Sequence, residues 1–145
     1  LITDGMLRMT YMGMWYMLYH SFSREVESSQ FKKDVKNFVR LEPVLEYTKK
    51  HYNTPITLSE ISQIACFQEE YFCHYFKKNM GVTYFQYLNE IRLSHIYRDL
   101  TSTDLPLKVL LEKHGFTNYK LFRKMFYEQF ATTPGEYRKN AAVSD

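Results

Sequence analysis

Residues 106–138 read PLKVLLEKHGFTNYKLFRKMFYEQFATTPGEYR, and this stretch decides the fold. Leu107, Leu110 and Leu111 form a short apolar-periodic segment that runs into Gly115-Phe116. After a few polar or turn-prone residues a second segment begins. In it Leu121, Phe122, Met125, Phe126 and Phe130 are spaced for one helix face. Gly115 is where the first helix should end, because the left-handed conformation that closes a helix is nearly free only for glycine. Asn118 offers a side-chain oxygen to cap the second. Two helices joined by a tight glycine turn make a helix-turn-helix, whose second helix can lie in a DNA major groove. Its polar face would carry Tyr119, Lys120, Arg123, Lys124 and Tyr127. Lysine and arginine there can reach phosphates or grip the acceptors of guanine. The bland alternative is an ordinary amphipathic helix with a solvated basic face.

The unit occurs twice. Leu58, Ile61 and Phe67 stand 49 residues before Leu107, Leu110 and Phe116, whereas Phe72, Phe76, Thr83 and Tyr87 stand 50 before Phe122, Phe126, Thr133 and Tyr137. One residue is therefore inserted in the second turn, and two modules in series are expected.

On these residues the chain from about Leu41 to Lys139 resembles the DNA-binding domain of the AraC/XylS family of bacterial transcription regulators. Gly115-Phe116, Phe122, Phe126, Thr133-Pro134 and Tyr137-Arg138 carry the resemblance, with Ile91-Arg92-Leu93 on the helix between modules. It implies an all-α domain over residues 41–140. Within it would lie a first helix-turn-helix over 57–81, a linker helix over 83–100 and a second helix-turn-helix over 106–131. It also implies activation through RNA polymerase and an effector site in a separate N-terminal domain. Leu111 departs from the family, which favours a small residue there, so the helix crossing must repack around it. Arg92, at a near-constant arginine position of the family, is expected to form a structural ion pair.

Within the first module, Thr57 and Glu60 have capping-box spacing. Cys66 holds the turn position of Gly115 and should accept modest backbone strain. The recognition helix should run from about Glu69 to Asn79, with Tyr71, Phe72, Tyr75 and Phe76 on its buried side. Gln68, Glu70, Cys73, His74, Lys77 and Lys78 are expected on its outer side. By the family pattern Glu70, Cys73 and His74 stand at base-reading positions, and a carboxylate can accept from cytosine N4. Lys77 and Lys78 fit phosphate contacts. Pro106 suits the first turn of the next helix. Thr133, Pro134 and Glu136 open the last one, and residues 141–145 should fray.

Upstream, Met6 to Phe22 reads as a helix that is apolar nearly all round and so buried on more than one side. It is too short to span a membrane and lacks a signal-peptide cleavage site. Residues 1–24 are expected to promote a homodimer, and residues 25–40 to form a linker, with a loop from Glu25 to Gln30. Opening on Leu1, the chain reads as a piece of a longer protein.

The net charge of +3 is weak support for nucleic acid. Placement matters more: from Lys113 to Lys139 six basic residues face two acids, against 13 and 12 over residues 41–145. Two cysteines imply no disulfide framework and point to the cytoplasm. Cys66, Cys73 and His74 lack a fourth ligand at zinc spacing, so no metal, cofactor or catalysis is expected. The reading is a sequence-specific regulator of double-stranded DNA. The alternative is a protein-interaction or architectural helical module.

Overall fold

The computed structural model describes residues 29–143, which form seven helices and, among the described residues, no strand. They are α1 (Ser29–His51), α2 (Leu58–Ile64), α3 (Glu69–Met80), α4 (Tyr84–Ser102), α5 (Leu107–Lys113), α6 (Tyr119–Phe130) and α7 (Pro134–Val143). The apolar helix and dimer contact expected within residues 1–24 lie outside the described residues.

Two hydrophobic cores share one helix. Tyr84, Tyr87, Leu88 and Ile91 of α4 join Leu41, Val44, Ile61, Phe72 and Phe76 in the first. Leu93, Ile96 and Leu100 of the same helix join Leu110, Phe116, Phe122 and Phe126 in the second. The linker helix thus has no free length between modules. Each of its turns belongs to one core or the other.

Local chemistry sets the helix ends. Thr57 and Glu60 make the reciprocal capping box at α2, and Tyr47 of α1 adds a hydroxyl bond to the same Glu60 carboxylate. Thr83 with Gln86 caps α4 likewise, and Thr133 exchanges bonds with Glu136 at α7. Both helix-turn-helix turns are Schellman motifs. Phe67 N–H donates to Ser62 O and Cys66 N–H to Gln63 O, each at 2.9 Å. Phe116 N–H donates to Leu111 O at 2.9 Å and Gly115 N–H to Glu112 O at 3.2 Å. The closing residue is left-handed in both, with φ of 57° at Cys66 and 69° at Gly115. Leu111 is accommodated in the second core at 6% exposure.

Five expectations are corrected. Ser29 and Gln30 are already helical, so the loop expected to run to Gln30 ends earlier, and the helical pattern that resumes at Val35 and Phe38 belongs to a continuous α1 that runs through Pro43. A polar stretch without an apolar period looks like a loop, yet helical backbone hydrogen bonds form without such a period. The core stripe of α1 is Leu41, Val44, Leu45 and Thr48, at helical spacing. Tyr71 is 54% exposed and does not belong to the buried side of α3. Arg92 is expected in an ion pair; its guanidinium instead donates to the backbone carbonyls of Tyr52 at 2.7 Å and Thr54 at 2.9 Å. Pro106 is the N-cap of α5, one position earlier than expected. Finally, α7 continues to Val143, past the expected start of fraying at Ala141.

Candidate nucleic-acid interface

In the second module, Phe122 and Phe126 are fully buried, which turns the opposite side of α6 to solvent. Tyr119, Lys120, Arg123, Lys124 and Tyr127 are all exposed there. Asn118 caps the helix, its side chain accepting from Leu121 N–H at 2.9 Å, so the first turn that carries Tyr119 and Lys120 is held in place. The Arg123 guanidinium lies 6.0 Å from the centre of the Tyr119 ring, which steadies both without consuming the guanidinium donors. Lys124 faces Glu128 one turn on at 3.8 Å, with both side chains largely exposed. Such a pair is weak and yields readily to a phosphate.

In the first module, Phe72 and Phe76 are equally buried, and Glu70, Cys73, His74, Lys77 and Lys78 are exposed on α3. Gln68, the N-cap, makes no side-chain capping bond. Glu69 and Glu70 occupy the first turn, where carboxylates complement the exposed N–H groups and the positive end of the helix dipole. Glu70 therefore has a structural reason to be there, independent of any base. Beside this face Phe67, Tyr71 and Tyr75 pack ring to ring, the first two at 4.9 Å. The Tyr75 hydroxyl donates back to Asn37 of α1 at 3.2 Å.

All nine residues singled out from the sequence are thus exposed, five on α3 and four on α6. Cys66 and Cys73 are free thiols. Among the described residues no group of three potential ligands could hold a metal ion, and no helix is long and apolar enough to cross a membrane.

One cluster had no signal in the sequence. Asp99 of α4, 7% exposed, accepts from Lys113 Nζ at 2.7 Å and meets His114 Nε2 at 2.8 Å. The Lys113 hydrogen bond, seconded by His114, holds the carboxyl down at about 2 against the opposing effect of burial. The other nitrogen of His114, Nδ1, lies 3.2 Å from the Tyr52 hydroxyl. Tyr52 in turn stacks on His95 at 4.1 Å with the rings 5° from parallel. Burial, followed by the charge of Arg98, lowers the pKa of His95. These residues are separated by up to 62 positions and share no spacing that would reveal them.

The family model described as a helix-turn-helix domain matches residues 61–140. An uncharacterized HTH-type transcriptional regulator of Staphylococcus aureus (strain COL) is 27% identical over 121 residues, covering 83% of this chain and 16% of the relative. The uncharacterized HTH-type transcriptional regulator YijO of Escherichia coli (strain K12) is 26% identical over 119 residues, covering 82% and 42%. The chain therefore spans less than half the length of either relative. Among solved structures, the DNA-binding domain of AdpA, a global transcriptional factor crystallised with a target DNA, superposes with a TM-score of 0.65 at 20% identity. That match covers 72% of this chain and 95% of the AdpA chain, and at this identity it shows the fold alone.

Proposed function

This chain belongs to the AraC/XylS family of helix-turn-helix transcription regulators, and we propose that it binds a specific double-stranded DNA site through α3 and α6 together. What supports the reading is that both helices stand in the same repeated frame, each presenting a solvated face opposite a phenylalanine pair. The two helices enter successive major grooves on one side of the duplex, about 34 Å apart along it. Tyr119, Lys120, Arg123 and Lys124 make the principal base and backbone contacts. Glu70, Cys73 and His74 read bases in the neighbouring groove, and Lys77 and Lys78 hold phosphates.

The regulator acts in the cytoplasm, pairs as a homodimer through residues 1–24, takes its effector in a separate domain and activates by touching RNA polymerase. These four points are the family's habits applied to this chain.

The test is selection from randomised duplexes followed by a gel shift with excess random DNA. Binding that survives competition, with two sequence-constrained boxes in the selected sites, is expected. Loss of the shifted band to any competitor would mark a protein-interaction or architectural module instead. A salt titration adds a check: Lys77→Ala and Lys78→Ala should each lower affinity for every sequence and reduce the salt slope by up to about 1.

A further inference from the structure

The turn between α1 and α2, His51 to Ile56, belongs to the first module, since Ile56 is buried in its core. The turn also touches the shared helix and the second module. Arg92, midway along α4, donates from Nε to Tyr52 O and from Nη2 to Thr54 O, gripping the turn at two points. Gly115, the left-handed residue of the second module's own turn, presses directly on it. A Cβ at position 115 would lie 2.6 Å from the carbonyl oxygen of Asn53 and 2.8 Å from its carbonyl carbon. The Tyr52 ring is stacked on His95 of α4, and its hydroxyl bonds His114 of the second turn. His114 is fastened to α4 through Asp99.

Three bodies therefore meet at one point: the first module's turn, the shared helix, and the turn that aims α6. Two modules joined through a single helix have their relative orientation fixed by that helix and by the packing along it. A third contact away from that helix closes a triangle and braces that orientation. Backbone-to-backbone contact is the stiffest form of it, and only glycine permits it here.

We propose that Tyr52–Thr54, clamped by Arg92 and seated on Gly115, is the positioning device that fixes the angle between α3 and α6 and so the box spacing the chain accepts. The inference rests on the reading that both helices engage DNA. Arg92, Tyr52 and Gly115 are positioning residues. They lie under the helices and act through the orientation of α6.

The joint can be read directly in the full chain. Spin labels on Cys73 and on Val109→Cys, in a Cys66→Gly background, report the distance from the first recognition helix to the second module. One narrow distance is expected. Arg92→Ala should broaden it, Gly115→Ala should displace it, and the milder Tyr52→Phe, which loses only the hydroxyl bond, should broaden it slightly. Circular dichroism confirms that each variant remains helical.

The same substitutions, without the labels, are then tested on the selected two-box site. The probes carry native spacing, one added base pair, or a scrambled first box. Unaltered protein should lose about tenfold or more in affinity for the added base pair, because the second box no longer meets its helix. Arg92→Ala should bind the native and lengthened sites within about threefold of each other. It should bind the one-box probe like the unaltered protein. Unchanged distances and an unchanged spacing preference in all three variants would overturn the joint alone. Failure of the unaltered chain to select any two-box site would overturn the reading of function on which it rests.

Discussion

Phe72 and Phe76 in the first module, and Phe122 and Phe126 in the second, hold the same ring geometry: 5.7 Å between centroids and 47° between planes. The faces opposite those rings carry different chemistry. The first shows Glu70, Cys73, His74, Lys77 and Lys78, and the second Tyr119, Lys120, Arg123 and Lys124. Their supports differ as well. The first module caps the leading helix of its pair, through Thr57 and Glu60, and leaves the recognition helix without a side-chain cap. The second does the reverse, with no side-chain bond at Pro106 and an Asn118 cap on the recognition helix. The repeat preserves what packing demands. What faces solvent has been free to diverge, because a side chain in water constrains no neighbour. In the second module the residues proposed to touch bases sit on the better-held helix.

The sharpest way to break the comparison is to remove one ring from each core. Phe72→Ala and Phe122→Ala should each cost about 3–5 kcal/mol in denaturant unfolding, since both rings are fully buried. Hydrogen exchange should show lost protection mainly in the module that was altered, because α4 divides its side chains between two clusters. Equal loss in both modules would make them one cooperative unit.

Next comes the outward face. Arg123→Ala should weaken binding to the selected site by about 1–3 kcal/mol while barely changing binding to random DNA. The corresponding change in the first module, Cys73→Ala, should cost less than about 1 kcal/mol, because a thiol is a weak hydrogen-bonding group. Equal losses for Arg123→Ala on selected and random DNA, measured by titration, would make Arg123 a phosphate contact.

The third contrast is electrostatic. The folded pKa of Asp99 is about 2, below its ordinary 3.8, so its carboxylate stabilises the fold fully above the ordinary value. That contribution is lost as pH falls through 3.8 toward 2. With the Lys113 side chain 52% exposed, the effect is of order 1–2 kcal/mol after allowance for solvent screening. Between pH 4 and pH 2 the second module should therefore loosen before the first in hydrogen exchange, and Asp99→Asn should flatten the difference.

The smallest expected effect lies in the turn. Cys66 adopts φ of 57° where the second module has glycine. Cys66→Gly should raise the thermal midpoint, with a gain of up to about 1 kcal/mol as relief of strain outweighs added freedom in the unfolded chain. A lower midpoint would show that the Cys66 side chain makes contacts worth more than the strain.

Much of this was legible in the chain itself. The doubled spacing of Leu58, Ile61, Phe67, Phe72 and Phe76 with Leu107, Leu110, Phe116, Phe122 and Phe126 defined the two modules, and every one of these residues belongs to or packs against a core. The caps at Thr57, Asn118 and Thr133 and the left-handed positions at Cys66 and Gly115 were readable too, whereas Thr83, placed within the linker helix, proves to be its cap. Each depends on hydrogen bonds that reach only three to five residues along the chain. The nine candidate interface residues are exposed because helical periodicity places them opposite buried rings. The start of α1 at Ser29 was not legible, because Ser29 to Asp34 show no sustained apolar period.

Tertiary structure alone decided how the modules are held to each other. Arg92 could be read as structural, but its partners are two carbonyls 38 and 40 residues away. Nothing in Asp99, His114 or Tyr52 taken singly announces that they meet, and the glycine at 115 serves a second purpose against Asn53 that its turn does not reveal. Periodicity and capping act along one helix and its ends, within the reach of local sequence. Contacts between helices depend on crossing angles set by the packing of all the buried side chains together, and no single stretch of the chain encodes those.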